Sequence, residues 1–207
     1  MSLTDSPVTI TLIFANVAIS LWALYSNPIY FTKFAEWPYQ IVYNKSVYQI
    51  ITSAFLHANL PHLFFNMLAL FSFGLTLEQF WNSQFGFLNG SLIFLSVYFV
   101  SLLVGSLFTV LLHYKDPNYV AVGASGAVSG VVFSYIIYSP TSTIFVLFFP
   151  MPAWLFAVLW IAFSIYGMKS KLGNIGHEAH LGGAAAGFLF TLFFIPGAMQ
   201  IFLSHFS

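Results

Sequence analysis

The sequence predicts an all-α, polytopic membrane protein folded as a bundle of six transmembrane helices. Three observations predict it. Only 5% of the 207 residues are charged and 59% are hydrophobic, whereas a soluble domain carries about 25% charged residues. Several apolar stretches reach about 20 residues, the length a helix needs to cross a bilayer. The weakly alternating segments of about 10 residues that mark a transmembrane barrel are absent. The same composition excludes other classes. Net charge is zero, with five lysines, no arginine, three glutamates and two aspartates, so no electrostatic case for nucleic acid exists. Without cysteine there are no disulfides, no thiolate catalysis and no cysteine-based metal site.

The spans are expected at 8–24, 61–81, 87–113, 124–138, 152–168 and 179–194, within one domain over 1–207. The first apolar run has no Lys or Arg before it and no small-residue cleavage site, which favours a retained helix over a signal peptide. The loop at about 25–52 is rich in Trp and Tyr and holds Lys33, Glu36 and Lys45, a composition suited to the headgroup level. Pro61 fits the first turn of the second span. The third span ends before the polar YKDPNY (114–119). The fourth starts within VGASGAVSG (122–130) and stops before Ser139-Pro140. Pro150 and Pro152 are expected to set the start of the fifth, and Pro196-Gly197 ends the sixth. All five lysines fall in the first, third and fifth loops, which the positive-inside rule assigns to the cytoplasm.

Ionisable groups inside membrane helices are by default functional candidates. His62 and Asn66 stand at i, i+4 and share a helix face. By themselves they would be hydrogen-bonding glue between helices. His180 opens the sixth span in HEAHLGGAAAG (177–187), and Gly183 and Gly187 return to its face three and seven residues on. The fourth span carries the matching pair Gly126 and Gly130. Two faces of small residues are expected to pack closely. Close approach would bring Ser125, at the start of one helix, within hydrogen-bond reach of His180, at the start of the other, as a nucleophile and its general base. The first amides of the fourth helix would meet an oxyanion formed at Ser125, with His62 and Asn66 as further donors. Glu178, two residues before His180, would be turned away by the helix, and Asp116 lies in a loop, so a Ser–His dyad is favoured over a triad. Ala127 breaks the GxSxG elbow of soluble hydrolases. Ser129, one turn after Ser125, is read as packing.

These residues together resemble the rhomboid family of intramembrane serine proteases. The motifs are HANLPHLFFN (57–66), GASG (123–126) and AHLGG (179–183), in the family's order and over about residues 45–195. The resemblance implies Ser125 as nucleophile and His180 as base, with His62 and Asn66 as oxyanion partners and Gly123 of GASG grouped with them. It implies a supporting role for His57 and a structural hydrogen bond from Glu78. The chain departs from the family in two places. Tyr48-Gln49 stand where Trp-Arg is frequent in the first loop, and Ser129 stands where many members stack an aromatic on the histidine. The resemblance also implies an outward-facing first loop, and it is preferred to the lysine count.

The expected function is that of a serine endopeptidase acting on transmembrane protein substrates in the bilayer, in a bacterial inner membrane, without cofactor, metal or nucleic acid. Three rivals compete with it. A zinc protease would need H-E-x-x-H, and the chain has H-E-x-H. A non-proteolytic membrane-protein binding or quality-control factor of the same fold would not react with a fluorophosphonate. A small transporter would show inverted repeats or midplane acids.

Overall fold

The computed structural model describes residues 3–146, 148–170 and 176–206. Helix α1 (Pro7–Tyr25) is followed by three short helices, α2 (Pro28–Phe34), α3 (Pro38–Tyr43) and α4 (Gln49–Thr52). Helix α5 (Leu60–Ala69) passes through a π-helical turn (Leu70–Gly74) into α6 (Leu75–Phe85), and together they form one 26-residue span. Then come α7 (Phe87–His113), α8 (Ser125–Tyr138), a hairpin of β1 (Thr143–Val146) and β2 (Phe149–Pro152), α9 (Ala153–Ser170), α10 (His177–Phe194) and α11 (Ala198–Ser204).

Local chemistry explains the helix starts. Pro7, Pro28, Pro38 and Pro61 sit in first turns, where a missing N–H costs nothing. Asn27 caps α2 by accepting from the Ile29 amide, and Asn59 caps α5 by accepting from the His62 amide at 2.8 Å. The expected first loop is therefore largely helical.

Among the described residues, four helices are long and apolar enough to cross a membrane: α1, α5 with α6, α7 and α9. Helices α10 and α11 meet the same criterion only when taken together, and they are bent by 102° to each other. The fourth expected span is the exception, because α8 has only 14 residues. Six helical segments are present as expected, but α8 is too short to be a full crossing. The expected start of the fifth span also differs. Pro150 and Pro152 lie in β2, paired to Phe145 and Thr143 of β1, and α9 begins only at Ala153. Both prolines sit on a two-stranded ribbon, where an edge position tolerates a residue without an N–H. Lys171 lies outside the described residues.

Helix α10 packs between α7 and α8, and both contacts are made through glycine. A Cβ on Gly105 of α7 would lie 2.7 Å from the Ala179 carbonyl oxygen. One on Gly187 would overlap the backbone of Gly130. Farther down, Ser134 Oγ donates to the Gly187 carbonyl at 3.0 Å and Thr191 Oγ1 donates to Ser134 Oγ at 2.8 Å.

At the opposite end of the bundle from Ser125, the buried carboxylate of Glu78 closes the N-terminus of α1. It accepts from the Val8 amide (3.0 Å), the Thr9 amide (2.8 Å), Thr9 Oγ1 (2.7 Å) and Ser91 Oγ (2.8 Å). The first amides of a helix have no internal partner and sit at the positive end of its dipole. One side chain thus ties α1, α6 and α7 together. Glu78→Ala is expected to lower stability by about 2–3 kcal/mol, measured by denaturant unfolding in detergent micelles. An unchanged midpoint would contradict this role.

Candidate active site

Ser125 opens α8, which is short. Fourteen residues rise about 21 Å, against a hydrocarbon core of about 30 Å. A helix of that length cannot cross the core alone, and the non-helical segment 120–124 leads into its start. Non-helical backbone inside a bilayer must find partners within the protein. Glu36 and Ala121 exchange two backbone hydrogen bonds at 2.9 Å each, and the Gly123 amide donates to the Ser53 carbonyl at 3.0 Å. Gly123 has φ +128°, a conformation suited to glycine. A Cβ there would lie 2.7 Å from His62 Cε1 and 2.9 Å from Nε2, so the missing side chain is what seats the His62 ring. That same point is 3.8 Å from Ser125 Oγ. No side chain caps α8, which leaves its first amides directed at this spot.

His180 arrives from α10. A Cβ on Gly126 would lie 3.1 Å from the Ala179 carbonyl oxygen, and one on Gly183 would overlap the Gly126 carbonyl. Ser125 precedes Gly126 and His180 follows Ala179, so both stand in first turns of two helices in backbone contact. Among the described residues no hydrogen bond joins Ser125 Oγ to His180, and His180 Nδ1 is buried without a partner. Catalytic hydrogen bonds are often long in a free enzyme and tighten when substrate binds.

The ring of His180 is held by aromatics instead. Trp160 of α9 stacks on it with centroids 5.3 Å apart and planes at 25°, and Phe156 stacks behind Trp160 at 5.5 Å. His177 meets His180 edge-on at 6.3 Å. Ser129, where the resemblance would place an aromatic, is buried. Trp160 is not a candidate that the sequence offers. It lies on another helix, 20 residues before His180, and no spacing rule links the two.

The remaining candidates divide. His57 lies fully buried beneath His62, the rings T-shaped at 4.9 Å. Ser20 Oγ is 2.8 Å from both the Phe55 carbonyl and His57 Nδ1. The single Ser20 hydrogen goes to the carbonyl, so Nδ1–H of His57 donates to Ser20. Burial, with His62 beside it, pushes the His57 imidazole down to about 3, so it is neutral at physiological pH. Asn66 is one turn below His62, with one amide hydrogen committed to the His62 carbonyl at 3.0 Å, and its second remains for another acceptor. Glu178 does turn away from His180. It pairs with Tyr119 Oη and, at 3.3 Å, with His113 Nε2. Asp116 closes its own turn by accepting from the Asn118 amide. Gln49 anchors the first loop despite its departure from the family pattern. It is buried, donates to the Lys33 carbonyl at 3.1 Å and accepts from the Trp37 amide at 3.3 Å.

Comparison with known proteins agrees with this architecture. A family model described as Rhomboid domain matches residues 44–197. Rhomboid protein 1, mitochondrial, of Saccharomyces cerevisiae is 37% identical over 157 residues, covering 72% of this chain and 42% of its own. The Bacillus subtilis protein YdcA, whose name places it with the rhomboid proteases, is 30% identical over 191 residues, covering 88% and 86%. A plant match, 40% identical over 75 residues (36% and 19%), is named Inactive RHOMBOID-like protein 8, from Arabidopsis thaliana. The chain spans about half the length of the first mitochondrial relatives it matches. These similarities support a multi-pass membrane protein. They lend no support to the expected bacterial inner membrane, since several relatives are named as mitochondrial.

The glycine contact is open to a direct test. Gly183→Ala places a methyl on the Gly126 carbonyl and is expected to cost about 1–3 kcal/mol. Gly176→Ala meets only ordinary contacts, the nearest at 3.7 Å, and is expected to change stability by no more than about 0.5 kcal/mol. Denaturant unfolding in micelles measures both. Equal midpoints for the two variants would show that the contact holds nothing together.

Proposed function

Because the chain belongs to the rhomboid family, we propose that it is an intramembrane serine endopeptidase that cleaves membrane-protein substrates, with Ser125 as nucleophile and His180 as general base. The observation that carries this reading is the meeting of three helix starts: Ser125 on the uncapped end of α8, His62 seated on Gly123, and His180 on the first turn of α10.

The chemistry follows from that placement. A substrate helix hides its carbonyls in its own hydrogen bonds, so it must unwind locally before attack. His180 takes the proton of Ser125 as Oγ adds to the scissile carbonyl. The oxyanion forms before the first amides of α8 and the ring of His62, donors already in place when charge develops. His180 then passes its proton to the leaving amine. Water, deprotonated by the same histidine, resolves the acyl-enzyme. Trp160 offers an aromatic face to the imidazolium that exists between these transfers.

A second reading, a non-proteolytic membrane-protein binding or quality-control factor, has two observations in its favour: the absence of a Ser125–His180 hydrogen bond among the described residues, and a relative that is inactive by name. Reconstitution with a single-span substrate separates the two. Ser125→Ala and His180→Ala are each expected to leave less than about one-thousandth of wild-type cleavage, and His62→Ala to cost about 10²–10³-fold. Wild-type cleavage by either dyad variant would refute the assignment, and no cleavage by the wild type would favour the binding role. Trp160→Leu is expected to lower kcat about 2–10-fold at unchanged KM, with Trp160→Phe recovering most of it. A rise in KM alone would show that Trp160 serves binding instead.

A further inference from the structure

We propose that Glu36, in the loop between α2 and α3, is a positioning residue whose neutral carboxyl pins the segment leading into Ser125, and whose ionisation releases it. The proposal rests on the reading of Ser125 as nucleophile. It adds a control on that serine from a residue 89 positions away in the chain.

Three contacts place Glu36 at a junction. Its backbone pairs in both directions with Ala121, four residues before Ser125. Its side chain runs inward, 6% exposed, and accepts from Ser106 Oγ of α7 at 2.5 Å. The next residue, Trp37, donates through Nε1 to the Pro117 carbonyl at 3.0 Å, on the other arm of the same loop. The 117–121 backbone thus hangs on residues 36 and 37, and the Glu36 carboxyl fastens them to α7.

The surroundings of that carboxyl are poor in positive charge. Glu178 approaches from the first turn of α10, Tyr119 from the loop before α8, and His113 from the end of α7. Tyr119 Oη and His113 Nε2 are both engaged by Glu178. Lys33, on the neighbouring α2, lies over the Phe34 ring, and no lysine pairs with Glu36 among the described residues. Burial raises the Glu36 carboxyl to about 8; the Ser106 hydrogen bond acts against this and the charge of Glu178 adds to it. At neutral pH the group is uncharged and fits its pocket. Ionised, it would set a second carboxylate near Glu178 in a desolvated site, a cost relieved by letting water in and the strap out.

The sign of the linkage is definite. Between the ordinary carboxylate range and about pH 8 the folded chain keeps a proton that the unfolded chain has lost. Stability therefore falls as pH rises through that window, and it levels off above it. Glu36→Gln keeps the neutral shape and removes the titration.

The test is a pH series on the full chain in proteoliposomes. Wild-type cleavage is expected to fall about tenfold from pH 7 to pH 9, as the neutral fraction does. Glu36→Gln should match wild type within about twofold at pH 7 and keep its activity at pH 9, while Glu36→Ala should be impaired at both. A Glu36→Gln variant that follows the wild-type alkaline limb overturns the proposal. A second measurement does not depend on catalysis. It follows hydrogen exchange of the peptide spanning 118–126 in the Ser125→Ala background, corrected for intrinsic pH dependence. Exchange should rise above pH 8 where Glu36 is retained and stay level where Glu36→Gln is added. Identical exchange in the two chains overturns the proposal. If no chain cleaves substrate, the protease reading fails by itself and the exchange comparison still decides the role of Glu36.

Discussion

The backbone contact between α8 and α10 is the constraint on which the rest of the structure depends. Gly126 meets Gly183 and Gly130 meets Gly187, so closely that a Cβ on Gly183 or Gly187 would fall on the facing backbone. Lipid tails are as apolar as leucine, so helices in a membrane are held by packing and by hydrogen bonds across the contact. Here both operate, glycine at the top of the seam and the Ser134–Thr191 hydrogen bonds lower down. The first turns of two helices are thereby fixed side by side, and that fixes the distance between Ser125 and His180. The Ser53 and Glu36 contacts serve the same end by holding the segment that leads into α8.

Glu78 and His180 are two buried polar groups with opposite surroundings. Glu78 has four donors on its carboxylate and is finished chemically; it closes a helix and ties three elements. His180 has a buried nitrogen with no partner, α8 has an uncapped end, and Ser125 has no hydrogen bond to His180 among the described residues. In the proposed reaction these groups would receive a carbonyl, an oxyanion and a travelling proton. Trp160 fits the same logic, since it holds the imidazole by its face and leaves the nitrogens free.

What the sequence makes legible is what local spacing encodes. The glycine pairs at i, i+4, the return of Gly183 to the face of His180, the outward turn of Glu178 and the Pro61 start of α5 follow from helical geometry, whereas Pro150 and Pro152, expected at a helix start, lie in β2. What it hides is long-range or irregular. Glu36 reaches Ser106 and Ala121, 70 and 85 residues away, and no periodicity connects them. Trp160 reads as one more lipid-facing aromatic until α9 is laid against α10. The hairpin at Thr143–Pro152 reads as a loop because two of its ten residues are prolines, and the π turn at Leu70–Gly74 has no signature beyond a glycine. The length of α8 is visible in outline, but that it falls short of a crossing emerges only beside its longer neighbours.

If the glycine seam makes Ser125 nucleophilic by delivering His180 to it, the reactivity of that one oxygen must depend on the seam. Mass-spectrometric mapping of a fluorophosphonate adduct measures that reactivity at a single atom, independent of any substrate. In reconstituted protein the adduct is expected on Ser125 in the wild type and is expected to be lost in His180→Ala. It should form much more slowly in Gly183→Ala, where both residues are intact but the helices are forced apart. An adduct on another serine, or Ser125 labelled at the wild-type rate in either variant, would contradict this dependence.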